Sequence, residues 1–219
     1  MNLEVPVKML KDSQSRIYLR DGRALHFHVP RPEAPVSLTA LLPAHFERLE
    51  VEIGCGKGEF ISRRAARHPH SFFVGIDRRM DRYQLTTRKL ERTEGKNWLL
   101  LFEDARAFRP EGLPSIDMLH LYHPDPWPKN RHHKHRFFRS PDARAFAEKI
   151  KPNGEFRLST DHREYFEEML DIAETWTFLK LELAYRKESF MGDPLTHFEG
   201  IFLRKREPVF KAVFRRLPA

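Results

Sequence analysis

The segment His123–Lys129, with the sequence HPDPWPK, contains the residues of this chain best placed to do chemistry. Its single carboxylate, Asp125, lies between two prolines, and a third proline, Pro128, follows the tryptophan. Proline fixes the backbone angle φ and removes a hydrogen-bond donor, so we expect a stiff, non-helical loop. Stiffness suits a carboxylate that must be held beside a reacting group, although Asp next to proline is also common in ordinary turns.

The residues on either side of this loop favour a functional role. Residues Ile116–Tyr122 are mostly apolar and predict a strand, so the loop leaves the carboxyl end of that strand, where open α/β sheets bind ligands. Residues 130–139 then bring a run of cations and histidines. Such runs are often only solvated surface, but next to this loop we expect contacts to phosphate groups. The expected phosphate contacts are Lys129, Arg131, Lys134, Arg136 and Arg139.

The composition favours a polyanionic partner. The chain has 219 residues, a net charge of +8 and a pI of about 9.7, and its cations cluster at residues 129–139, 204–206 and 215–216. Its one cysteine, Cys55, excludes an internal disulfide framework and favours a reducing, cytoplasmic setting. No apolar run approaches the ~18 residues of a membrane span, and residues 1–20 lack the apolar core of a signal peptide.

Strand and helix patterns alternate along most of the chain and predict an α/β fold with a doubly wound, mostly parallel, seven-stranded sheet. We assign this domain to residues 46–219, and residues 1–45, which contain three closely spaced prolines after residue 29, to an N-terminal arm or linker. Helices are predicted at residues 60–67, 80–92, 141–150 (capped by Ser140) and 161–175. The predicted strands are Leu49–Ile53, Ser71–Ile76, Trp98–Phe102, Ile116–Tyr122, Glu155–Ser159, Phe178–Ala184 and Pro208–Phe214.

A glycine-rich loop follows the first predicted strand and precedes the first helix. Gly54 and Gly56 permit tight turns and a close approach of a ligand to the backbone. The spacing matches neither the dinucleotide fingerprint nor a phosphate-binding loop. Glu52, just before the glycines, would repel a pyrophosphate but can pair with a cation such as the ammonium of a methionine moiety.

Two further acids follow the next two strands. Asp77 lies roughly 20 residues beyond the glycine loop, where nucleoside-binding folds place an acid that accepts from ribose hydroxyls. Asp104 is placed to accept from an adenine amino group, although a helix cap is an equally good interpretation. Acids at three successive strand ends favour S-adenosylmethionine as the cofactor.

These motifs resemble the bacterial tRNA (guanine-N7)-methyltransferase family. The resemblance covers residues 49–199 and rests on the glycine loop, on Gly75–Asp77, on the Asp-Pro-Trp-Pro-Lys element with the cations after it, on Ser159–Asp161 and on Thr196–Glu199. It implies a Rossmann-like class I methyltransferase that uses S-adenosylmethionine to methylate N7 of a guanine in the tRNA variable loop, at tRNA position 46. A monomer and a homodimer are both compatible with it.

The resemblance also assigns residues to roles. It implies that Glu52, Asp77, Asp104 and Asp125 contact the cofactor and that Asp125 is the catalytic acid. Its substrate-binding positions correspond to Lys129, Asp161, Thr196, His197, Phe198 and Glu199. This chain departs from the family pattern at His123, at Phe198, where a tyrosine is usual, and at Gly200.

The chemistry of guanine N7 asks little of the protein. N7 has an in-plane lone pair and needs no base to remove a proton, so alignment and stabilisation of the developing positive charge are the main requirements. We expect Asp125 to stabilise that charge, Asp161 to accept from the guanine edge, and Trp127 either to stack on a base or to pack within the protein. The histidines at residues 132, 133 and 135 lie among cations and lack nearby carboxylates in the sequence, so we expect no metal site.

Two other functions fit parts of the sequence. A methyltransferase acting on an adenine amino group uses a similar loop, but the tryptophan here comes one position early. A non-catalytic RNA-binding protein could keep the fold, but the intact acids Glu52, Asp77 and Asp125 argue against it. A small-molecule methyltransferase is disfavoured by the clustered cations.

Overall fold

The computed structural model describes residues 15–20, 23–28, 42, 46–93, 95, 97–106, 110, 113–186 and 192–218. In these residues nine strands form one sheet, with helices on both faces. The strands are β1 Ser15–Arg20, β2 Arg23–His28, β3 Arg48–Ile53, β4 Ser71–Asp77, β5 Trp98–Phe102, β6 Ile116–Tyr122, β7 Ile150–Thr160, β8 Leu179–Arg186 and β9 Phe210–Arg216. The helices are α1 Glu59–Arg67, α2 Met80–Glu91, α3 Pro141–Glu148, α4 Arg163–Glu174 and α5 His197–Lys205.

The strand order is β2-β1-β5-β4-β3-β6-β7-β9-β8. The five central strands, in the order β5-β4-β3-β6-β7, are parallel. Among the seven predicted strands, only β9 is antiparallel to the others. The chain winds from β3 towards β5 and then returns to the other side of β3 with β6. The predicted doubly wound, mostly parallel α/β sheet is confirmed, and its switch point lies between β3 and β6.

Apolar residues alternate between the two faces of the central strands. Phe72 and Val74 pack with α3 and α4 on one face, whereas Phe73 packs with α1 and α2 on the other. The central strands are therefore buried on both sides, as expected for parallel strands covered by helices. No helix among the described residues is long and apolar enough to cross a bilayer.

The start of α3 shows how the sequence ends one element and begins the next. Pro141 occupies the first turn, as predicted, but the Ser140 hydroxyl donates to the carbonyl of Phe137 at 2.8 Å and makes no side-chain cap. The helix ends at Glu148, and β7 begins at Ile150, five residues before the predicted strand.

Two parts of the sheet and one helix were not predicted. The hairpin β1–β2 adds β1 antiparallel to β5, which places two strands inside the segment interpreted as an arm; the rest of residues 1–45 lies almost entirely outside the described residues. Helix α5 begins with a capping box between Thr196 and Glu199. Its Thr-x-x-Glu sequence is a recognised signal for a helix start.

Candidate active site

The register of the sheet brings the carboxyl ends of the central strands to one level. Ile53 of β3 pairs with Ile76 of β4 and with Leu121 of β6. The residues that follow these three positions therefore lie at the same edge. This edge contains two adjoining cavities of about 220 and 170 Å³. Both are lined by Gly54, Arg82, Tyr122 and His123.

Asp77 braces the glycine loop. Its Oδ2 accepts from the backbone N–H of Gly56 at 2.8 Å, and its Oδ1 accepts from the backbone N–H of Arg79 at 2.9 Å. Gly54 and Gly56 have left-handed φ values of 72° and 58°, which glycine adopts without a steric penalty. Burial raises the pKa of Asp77. Each oxygen keeps a lone pair that can accept from a ligand hydroxyl.

Glu52 is the most deeply buried of the four predicted cofactor acids. Burial, together with the charges of Asp77 and Glu199, raises its pKa to about 8. Its Oε2 is buried and has no hydrogen-bond partner among the described residues. A buried carboxylate oxygen without a partner is costly, and a cationic group in the adjoining cavity would remove that cost. Glu52 therefore fits the ammonium of a methionine moiety.

Asp104 and Asp125 lie on the rim of the larger cavity, on either side of Arg78. The Arg78 Nη1 is 3.3 Å from Asp104 Oδ2, and its Nη2 is 3.8 Å from Asp125 Oδ2. Asp104 also accepts from the backbone N–H of Arg106. The Asp125 side chain is 72% exposed, so its carboxylate is open to solvent at the rim of this cavity. Arg78 was not predicted, and its position directly after Asp77 was the one available signal.

The loop that carries Asp125 is non-helical and strained at both ends. His123 and Trp127 have left-handed φ values of 48° and 44°. Such angles cost roughly 1–3 kcal/mol per non-glycine residue and persist only where the surroundings enforce them. Arg136 restrains the backbone of this loop, because its Nε donates to the carbonyl of Pro126 at 2.7 Å. The Trp127 ring packs against His132 and His135.

The prediction that Arg136 contacts RNA phosphate is wrong. Its side chain is 0% exposed, and its guanidinium pairs with Glu164 and Glu168 and lies 4.8 Å from the centre of the Tyr165 ring. The sequence of a basic segment does not show which of its side chains forms ion pairs with acids of a distant helix, here α4. Arg139 also pairs with Glu168. Lys129, Arg131 and Lys134 are exposed.

One group of described residues brings potential metal ligands together, but its ion pairs do not suit a metal ion. His133, Glu164 and Glu168 bring potential ligand atoms within 4.8 Å of one another. Both carboxylates already pair with the Arg136 guanidinium, and Glu168 also pairs with Arg139. Two guanidiniums neutralise the donor set, so a further cation gains little there.

The segment Thr196–Glu199 divides into structural residues and residues at the cavity. Glu199 Oε2 accepts from the backbone N–H of Thr196 at 2.8 Å, and its Oε1 accepts from Lys211. Glu199 is buried and both its oxygens are engaged, so its predicted contact with substrate is replaced by a role in starting α5. His197 and Phe198 line the smaller cavity together with Thr196. The His197 Nε2 lies 3.2 Å from the Lys57 Nζ of the glycine loop.

Asp161 lies at the end of β7 near the Asp125 loop. Its Oδ1 is 3.2 Å from the Nδ1 of His123, and its side chain is 39% exposed. Burial alone would raise the pKa of Asp161, but the hydrogen bond from His123, a backbone hydrogen bond and the charges of His123 and His162 together outweigh it, and the pKa lies below its ordinary value. The pairing of these two residues was not predicted, because nothing in the spacing of residues 123 and 161 signals it.

Comparison with known proteins agrees with this geometry. A family described as "Putative methyltransferase" matches residues 47–212. The tRNA (guanine-N(7)-)-methyltransferase of Alkalilimnicola ehrlichii is 32% identical over 96% of this chain and 93% of its own length. The corresponding enzyme of Rhizobium meliloti is 33% identical over 90% of each chain.

Solved structures agree on the fold. A structure of an antibiotic-related methyltransferase has a TM-score of 0.65 and 16% identity, covering 90% of this chain and 99% of its own. The 16S rRNA (adenine(1408)-N(1))-methyltransferase from Catenulisporales acidiphilia, solved with cosubstrate SAM, has a TM-score of 0.59 and 17% identity, covering 92% and 97%.

The matched family, together with the fold, makes this chain a class I methyltransferase, an enzyme that uses S-adenosylmethionine. Within that class, the chain belongs to the tRNA (guanine-N7)-methyltransferase family.

Replacing Glu52 by Gln should change how the stability of the cofactor-free protein depends on pH. The pKa of Glu52 is raised from 4.5 to about 8, so between these values the folded state holds a proton that the unfolded state has released. The stability contributed by that proton is present below about pH 4.5 and is lost as the pH rises through about 8. In melting-temperature measurements Glu52→Gln should gain on the wild type across this window. Equal pH profiles for the two proteins would contradict the prediction. Glu174→Gln, exposed at the end of α4, is the control.

Replacing Arg136 by Met should destabilise the protein by about 2 kcal/mol, because the half-buried Glu168 loses one of its two guanidinium partners and the Pro126 carbonyl loses its donor. Arg131→Met removes an exposed cation of the same run and should change stability by less than about 0.5 kcal/mol. Urea unfolding of the two variants compares these effects. Similar losses in both would mean that Arg136 does not hold the loop.

Proposed function

We propose that this protein transfers a methyl group from S-adenosylmethionine to N7 of a guanine in tRNA, at variable-loop position 46. The observation that carries the proposal is the position of Asp125. It is exposed at the mouth of a cavity lined by Asp77 and Asp104, and the exposed cations at residues 129, 131 and 134 follow it in the chain. The curated relatives are named for this reaction.

The cofactor supplies an electrophilic methyl group, and the residues of this chain hold it. Glu52 binds the ammonium of the methionine moiety, because its buried Oε2 has no other partner among the described residues. Gly54 and Gly56 let the backbone approach the ligand, Asp77 accepts from the ribose, and Asp104 accepts from the adenine amino group. Asp125 borders the same cavity and contacts the cofactor from the rim.

The chain contributes alignment and electrostatics to the reaction. Guanine N7 would bond to the transferred methyl carbon through its lone pair, while the bond from that carbon to the donor sulfur breaks and the sulfur keeps the electron pair. N7 loses no proton, so no general base is needed. Methylation leaves a positive charge on the purine, which makes its N1–H and amino group better donors. Asp125 accepts from these donors and stabilises that charge as it develops. The strained, anchored loop keeps the carboxylate in position before the substrate arrives.

The remaining contacts position the RNA. Asp161 accepts from the guanine edge, and Thr196, His197 and Phe198 form the wall of the cavity on the other side. Lys129, Arg131 and Lys134 contact phosphate groups, since all three are exposed beside the loop.

The direct test is the transfer of labelled methyl groups to an unmodified tRNA transcript, followed by digestion and mapping of the methylated base. The proposal requires 7-methylguanine at tRNA position 46. Methyl at N6 of adenine would favour the amino-group methyltransferase instead. Failure of the protein to bind S-adenosylmethionine in calorimetry would favour a non-catalytic RNA-binding function.

Asp125→Asn and Asp125→Ala should each lower kcat by about 100-fold, because the charge that stabilises the methylated purine is lost. Cofactor affinity, measured separately by calorimetry, should fall much less than kcat, since Asp125 is mostly exposed and Glu52 and Asp77 remain. Single-turnover kinetics with saturating tRNA measure the effect. Turnover near that of the wild type in both variants would remove Asp125 from the mechanism.

Replacing Arg131 or Lys134 by Ala should weaken tRNA binding and flatten its salt dependence. Each lost phosphate contact should reduce the slope of log affinity against log salt by about 0.7–0.9. Filter binding over a range of salt concentrations gives the slopes. Arg88→Ala removes an exposed cation at the far end of α2 and should leave the slope unchanged. An equal change in Arg88→Ala would show that the cations act only through net charge.

A further inference from the structure

The His123 ring is enclosed where the two cavities meet. Its side chain is 3% exposed, and it packs between the rings of Phe198 and Phe202, with centres 5.6 and 5.5 Å away. Its backbone N–H donates to the carbonyl of Ser159 at 2.8 Å, which fixes the residue beside the end of β7.

The polar atoms of this ring have very different surroundings. Nδ1 lies 3.2 Å from Asp161 Oδ1, whereas Nε2 is buried and has no partner among the described residues. An apolar aromatic side chain would fill the same space without burying an unpaired nitrogen. The unpaired Nε2 is therefore a cost of having histidine at this position, and the hydrogen bond to Asp161 is the feature that an apolar ring would lack.

The surroundings of Asp161 show what that hydrogen bond does. The side chain is 39% exposed and its Oδ1 faces His123, so Oδ2 is the oxygen that His123 does not contact. A carboxylate on a single bond can rotate, and a donor on one oxygen fixes the plane of the group and the direction of the other oxygen. With the proton on Nδ1, the ring donates to Oδ1 and Oδ2 remains an acceptor.

We propose that His123 is a positioning residue, which holds the Asp161 carboxylate so that its second oxygen accepts from the donor edge of the target guanine. The inference rests on the proposed function, in which Asp161 contacts that edge. His123 does not touch the substrate; it acts through Asp161. Its sequence position directly before Pro124 places it in the Asp125 loop, so one strained loop orients both acids that face the base.

A double-mutant cycle tests this role. His123→Phe keeps the aromatic packing but removes the donor, and kcat/KM for tRNA should fall about tenfold, as for the loss of one hydrogen bond to a charged group. Asp161→Ala should lower it at least as much. In the Asp161→Ala background, His123→Phe should change kcat/KM by less than about twofold, because no carboxylate is left to position.

His123→Asn supplies the matched control. An Asn side chain can place its N–H₂ donor near the position of Nδ1, and Asn tolerates a left-handed backbone. This variant should keep kcat/KM within about threefold of the wild type despite its smaller side chain. The melting temperature of His123→Phe should equal or exceed that of the wild type, and S-adenosylmethionine affinity should stay within about twofold in every variant. A purely structural role predicts a better retention of activity in His123→Phe than in His123→Asn.

The outcomes separate this inference from the proposed function. If wild-type product is 7-methylguanine but the losses from residues 123 and 161 multiply, the inference fails and the function stands. If the wild type makes no 7-methylguanine in tRNA, the function itself fails. If turnover of Asp161→Ala is too slow to measure, the same double-mutant cycle can be measured with tRNA dissociation constants. If His123→Phe does not fold, His123→Ala takes its place with the same expected coupling.

Discussion

Parallel pairing of β3 with both β4 and β6 is the constraint on which the site depends. It sets Ile53, Ile76 and Leu121 side by side, so that the chain leaves all three strands at one level. A shift of one residue in either pairing would turn the side chains to opposite faces and separate the acids. The site is thus a consequence of register, and the buried apolar residues of both faces hold that register.

The acids gathered at this edge repel one another, and the protein limits that cost by dividing their surroundings. Asp77 is satisfied by backbone donors, Asp104 and Asp125 face a guanidinium on the rim, and Glu52 alone is left buried with an open oxygen. Glu52 therefore offers a buried acceptor to a ligand, and a cationic ligand group would also offset the repulsion among these acids.

A second set of charges lies beside the site and links the segments around it. Arg64 of α1 pairs with Glu50 and with Asp193, and Asp193 also pairs with Arg157 of β7. Burial opposes the ionisation of Glu50, but His120 and Arg64 outweigh it and lower its pKa to about 2. Asp193 lies three residues before Thr196, so these pairs tie the start of the Thr196–Phe198 wall to α1, the helix that follows the glycine loop. Breaking such a buried pair by removing one partner is costly.

Much of this arrangement follows from the sequence, and most of the exceptions depend on partners that are distant in the chain. The pattern of apolar residues predicted the central sheet, and the residues that follow each strand predicted where the glycine loop and the acids lie. Both depend on local sequence and on the geometry of parallel strands. Arg136 and Glu199 were misassigned, because their roles are fixed by Glu168 and Lys211, which lie far from them in the chain. Helix α5 had a local signal in its capping box, whereas the docking of β1 onto β5 had none.

The strand order has a consequence for how the protein is made. β9 lies between β7 and β8, so β8 has β9 as its only neighbour in the sheet of described strands, although β8 is synthesised first. On the ribosome β8 emerges before any strand that can receive it, and the segment between β8 and β9 contains the Thr196–Phe198 wall. Since β9 also supplies Lys211 to Glu199, completion of this wall is delayed until almost the whole sheet has been translated. Vectorial synthesis therefore makes the edge formed by β8 and β9, with the cavity wall at residues 196–198, the last part of the sheet that can be completed.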